Sequence, residues 1–85
     1  SLITLKLLGG MKTTIGKNFI FIDKSEATLK DIFKELKKKS KDPKIINEKN
    51  LMVVVKGVDS SIIGGKETVV KTGEIITIVP IIHGG

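Results

Sequence analysis

From Leu2 to Leu8 apolar and polar positions alternate, with Ile3, Leu5 and Leu7 on one side, the period of a half-buried strand. Gly9-Gly10-Met11-Lys12 then supplies turn chemistry, so a hairpin is expected, with β character resuming from Ile15 to Asp23. The period changes after Thr28. Leu29, Ile32, Phe33 and Leu36 fall at i, i+3, i+4 and i+7, the apolar stripe of a helix facing a core. Thr28 offers an N-cap hydroxyl and Asp31 stands in the capping-box position three residues on. Lys37, Lys38 and Lys39 suit the negative end of that helix, and Asp42-Pro43 stops it. The predicted helix spans 28–40.

Leu51 to Lys56 reads as a strand apolar on both faces, with Leu51, Val53 and Val55 on one and Met52 and Val54 on the other. Gly57, Gly64, Gly65 and Gly73 interrupt the stretch after it. They leave room for short β pieces around Ile62-Ile63 and from Thr68 to Val70, and argue against a second helix over 57–74. Ile75 to Val79 is the last strand, cut off by Pro80. One helix against one face of a mixed sheet of four to five strands buries both apolar surfaces, so the expected class is an α+β roll. One helix covers only one face, however. Met52 or Val54, with the Ile81-Ile82 stem, is therefore expected to remain as a hydrophobic docking patch, unless the 57–74 segment folds over it.

Eighty-five residues hold one domain and one modest core. No apolar stretch reaches membrane-spanning length, and the first strand lacks the basic flank of a signal peptide, so a cytoplasmic monomer without membrane contact is expected. There is no cysteine, which removes disulfides, thiolate chemistry and most zinc sites, and a lone histidine builds no metal cluster. The net charge is +6, and all fifteen basic residues are lysine. Lysine is a flexible point charge, whereas bidentate reading of guanine favours arginine; the balance points to a solvated surface, acidic partners or nonspecific RNA contact.

Catalysis by the chain itself is not expected. A nucleophile needs a positioned base, and the only imidazole, His83, lies two residues from the end of the sequence. Phe19 and Phe21 share a strand face beside lysines, the arrangement by which some sheets stack RNA bases. Such recognition domains need a second helix, and the two rings are expected instead beneath the helix as core. A noncatalytic RNA-binding module stands as a third alternative.

A hairpin, a capped helix and three further strands ending in Gly84-Gly85 resembles the β-grasp of ubiquitin-like proteins. The chain is most similar to the ubiquitin-related modifiers, the sulfur-carrier branch ending in His-Gly-Gly. The likeness rests on Asp59, Ile63-Gly64, Val70, the terminal strand and His83-Gly84-Gly85. Lys71-Thr72-Gly73-Glu74 replaces the acidic turn common in that branch, and the chain is basic where many members are acidic. The resemblance implies a β-grasp domain over 1–80 with first and last strands as central neighbours, and a flexible diglycine tail over 81–85. It implies that an adenylating enzyme of the ubiquitin-activating type uses ATP to activate the Gly85 carboxyl, giving a thiocarboxylate; the chain itself binds no cofactor. Gly84 would be the slender neighbour and His83, Ile82 and Ile81 contacts to that enzyme. Sulfur would pass through a sulfur-transfer enzyme or tRNA thiolase, and the activated end could join to lysines of other proteins. The small subunit of molybdopterin synthase, partnered by the large subunit, is the alternative within the same mechanism.

Overall fold

The computed structural model describes residues 2–81. Strand β1 (Ile3–Leu7) is an interior strand of the sheet with Ile3, Leu5 and Leu7 buried, as its alternation predicts. The chain then turns through helix α1 (Gly10–Ile15) into β2 (Phe19–Ile22) and β3 (Glu26–Thr28). Helix α2 (Leu29–Lys39) comes next, then a single 3-10 turn (Pro43–Ile45) and β4 (Leu51–Val55). The last part holds β5 (Val58–Asp59), α3 (Ser60–Ile63), a second 3-10 turn (Gly65–Glu67), β6 (Val69–Lys71) and β7 (Ile75–Pro80).

Five strands form one mixed sheet in the order β2-β1-β7-β4-β5. β1 and β7 pair in parallel, Leu5 opposite Ile76 and Leu7 opposite Ile78, so the first and last strands are central neighbours. The other pairings are antiparallel. β3 and β6 make a separate two-stranded sheet. Helix α2 lies on one side, and Leu29, Ile32, Phe33 and Leu36 join Leu5, Val53, Ile76 and Ile78 in one core. Its start is the predicted capping box: Asp31 N–H donates to Thr28 Oγ1 at 3.2 Å, and Thr28 N–H donates to Asp31 Oδ2 at 3.4 Å. The arrangement is an α+β β-grasp roll.

Several local expectations change. β1 and β2 pair antiparallel as the expected hairpin requires, but their connection is no tight turn: Gly9 precedes a six-residue helix that begins at Gly10, and Ile15 closes that helix and begins no strand. Met11 and Ile15 stand one helical turn apart; Met11 is fully buried and Ile15 packs against the core, which stabilises the helix more than local propensity does. Gly16, with φ at 86°, ends it in the left-handed region where glycine is favoured. Ile62-Ile63 is likewise no β piece but lies in α3, because Asp59 accepts hydrogen bonds from Ser61 N–H at 2.9 Å and Ser61 Oγ at 2.8 Å and so caps a helical turn. The glycines of 57–74 limit that helix to four residues and do not prevent it. β3 had no clear signal: three residues with one buried side chain, Ala27, leave almost no period to detect. Pro80 does not cut β7 short but is its last residue, opposite Leu51.

Candidate functional site: the exit of the last strand and the open sheet face

β7 is the strand through which the sheet delivers the chain toward residues 82–85. Its end is held from two sides. Leu8 N–H donates to Ile78 O at 3.1 Å, and beyond Pro80 the Ile81 N–H donates to Asn50 O at 2.7 Å. Asn50 is itself fixed by the Asn47 side chain, whose Oδ1 accepts from Lys49 N–H and Asn50 N–H. Gly9 lies alongside: a side-chain carbon there would sit 3.6 Å from Pro80 Cδ, an ordinary contact. Ile81 is 41% exposed, the first residue past the sheet. Gly85, Gly84, His83 and Ile82 lie outside the described residues.

Beside this exit the outer face of the sheet is open. Alternation sends Leu51, Val53 and Val55 inward and leaves Met52 36% exposed and Val54 half-buried, as expected of a two-faced apolar strand. The 57–74 segment does not fold over them. Ser60, Ser61, Gly65 and Lys66 instead flank a small crevice with Leu29 and Phe33 of α2, on the core side of β4. Pairing carries the open face across the sheet: Met52 is opposite Val79, Val54 opposite Thr77, Thr77 opposite Lys6, and Lys6 opposite Phe19.

Phe19 and Phe21 correct an expectation. They are not core beneath α2 but stand on the open face, Phe21 at 58% exposure, because Ile20 and Ile22 take the inward positions. Strand alternation showed that the two rings share a face; it could not show which face, since Phe and Ile are both apolar. Leu8 and Ile75 are further exposed apolar residues here that the sequence did not single out. The candidate site is thus wider than Met52 and Val54: a mixed face with exposed apolar side chains at Phe19, Phe21 and Ile75 on one side and Met52 and Ile81 on the other, around Thr4, Lys6 and Thr77, adjoining the strand exit.

The capped helix across a mixed sheet and the central pair of first and last strands define a ubiquitin-like β-grasp domain. The ThiS family model matches residues 5–85. The chain belongs to the ThiS family, among the ubiquitin-like sulfur carriers and modifiers. Comparison with curated proteins finds no significant match. Among solved structures, the small archaeal modifier protein 1 of Methanosarcina acetivorans has a TM-score of 0.78 at 19% identity, covering 100% of this chain and 97% of that one. Urm1 of Trypanosoma brucei gives 0.76 at 20% identity, covering 99% and 95%. A chain of the BexX/CysO complex of Amycolatopsis orientalis gives 0.75 at 24% identity, covering 98% and 99%. At these identities the likeness is one of fold.

Proposed function

We propose that this protein is a sulfur carrier, acted on by an activating enzyme and not itself catalytic, whose reactive group is the Gly85 carboxyl. One observation supports this above the others: the family match runs through His83-Gly84-Gly85, which follow a central, hydrogen-bonded strand after the two residues Ile81-Ile82. A carboxylate is a poor acyl donor. Its oxygen attacks the α-phosphate of ATP, pyrophosphate leaves, and the product is an acyl-adenylate. A sulfur nucleophile supplied by a donor then displaces AMP, leaving a thiocarboxylate. Glycines suit a segment that must enter a narrow enzyme site, since they lack the Cβ that would clash there. The hydrogen-bonded exit at Ile78 and Ile81 leads into that segment, and the Met52–Phe21 face would give the activating enzyme a surface to grip. The sulfur acceptor on this reading is tRNA, and the same activated end could also acylate protein lysines.

The test is a mass measurement. Full-length chain incubated with ATP, a cognate activating enzyme and a sulfur donor should gain the difference between sulfur and oxygen at its C-terminus. Deletion of Gly84 and Gly85, or addition of one residue after Gly85, should abolish the gain while leaving thermal stability unchanged. A truncated chain thiolated as readily as the full one would overturn the proposal.

A further inference from the structure

On the opposite side of the molecule from the open sheet face, three elements meet around a groove of about 480 Å3. Helix α2 contributes Lys30, Lys34 and Lys37, the turn after the first 3-10 segment contributes Lys49, and the second 3-10 turn contributes Lys66. All five are exposed. Among the described residues the only carboxylate lining the groove is Glu48, paired with Lys66 Nζ at 3.0 Å; both partners are half in solvent, where such a pair contributes little. Asp31, near enough to Lys34 to feel its charge, is committed to the helix cap.

An ordinary solvated lysine face is convex and intersperses both signs. Here lysines from separate parts of the chain converge on a concavity, where field lines concentrate. The floor is Phe33 and Ile46, both buried, so a protein partner would find no projecting aromatic or aliphatic anchor of the kind that dominates protein interfaces. Nor is a ring available for base stacking, and there is no arginine to read a base edge. What remains is charge at helical spacing: Lys30 and Lys34 are separated by about 6 Å along the axis and Lys37 stands about 4.5 Å further. Such a row matches a repeating anion.

We propose that this groove binds the phosphodiester backbone of a nucleic acid, without sequence preference, through Lys30, Lys34, Lys37, Lys49 and Lys66. The inference goes beyond the carrier reading, and its measurement requires no activating enzyme, so the two can fail separately. Fluorescence anisotropy of the full chain with a labelled tRNA transcript, titrated from about 50 to 200 mM salt, should show log K falling linearly with log salt, by about 0.7–0.9 for each phosphate neutralised. The double substitution Lys34→Gln, Lys37→Gln keeps helix propensity nearly unchanged and should reduce that slope by about 1.4–1.8. The pair Lys56→Gln, Lys71→Gln removes the same charge elsewhere, at two exposed positions outside the groove, and should leave the slope intact. An equal-length DNA duplex in a parallel arm assigns the backbone to RNA, DNA or both, each consistent with the groove. Equal loss of slope in the two double variants, absence of binding at the lowest salt, or displacement of tRNA by polyglutamate at matched charge would overturn the proposal.

Discussion

Asp31 shows how one side chain ties the charge pattern to the fold. Its carboxyl is held below the ordinary aspartate range, first by the hydrogen bond with the Thr28 side chain and then by that with the Thr28 backbone, which outweigh desolvation; Lys24 and Lys34 add to the lowering. A depressed folded pKa means that this contribution to stability is complete above the unfolded value, about 3.9, and is lost as pH falls through the lower folded value. Stability measured by denaturant between neutral pH and pH ~2 should therefore decline more steeply for the native chain than for Asp31→Asn. The asparagine keeps an acceptor for Thr28 N–H but has nothing to titrate. Identical acid profiles would show that the cap carries no charge-dependent stability. The cap itself was visible in Thr28-x-x-Asp31, since it depends on four consecutive residues and no distant partner.

At the scale of elements, legibility tracked the strength of the local period. Helix α2 offers four inward residues over two turns; β1, β4 and β7 offer clean alternation or long apolar runs. Helix α1 offers only Met11 and Ile15, and Gly9-Gly10 before them masks the signal. Substituting Met11→Ala should cost about 2–5 kcal/mol in denaturant unfolding, while Met11→Leu should cost less than about 1.5 kcal/mol. Ile62→Ala is the informative contrast. At 77% exposure it should change stability by no more than about 0.5 kcal/mol, whereas a large loss would return Ile62 to a packed strand.

For the whole molecule, the question is what the two sides of the sheet do. One is closed by α2 and the 57–74 segment; the other remains open beside the strand exit. On the carrier reading, Met52→Asp should weaken association with the activating enzyme roughly tenfold or more, a loss of about 1.4 kcal/mol or greater, with the melting temperature nearly unchanged. Surface plasmon resonance would measure it, and native affinity would exclude Met52 from the docking surface. Phe21→Ser tests whether that surface extends to the β2 edge by the same measurement.

The sequence alone determined whatever depends on neighbours along the chain. The capping box, the inward stripe of α2, the alternation of β1 and the two-faced character of β4 are all readable because a few consecutive dihedrals or one short period specify them. Tertiary structure decided which apolar face was covered. Phe19 and Phe21 alternate with Ile20 and Ile22, and either pair could have packed under α2; strand register with β1 and the pairing of β1 with β7 settled it. It also gathered Lys30, Lys34, Lys37, Lys49 and Lys66 around one groove, although they come from three separate stretches of the chain. Burial and charge convergence are properties of distance in space, and spacing along a sequence carries them only where the two coincide.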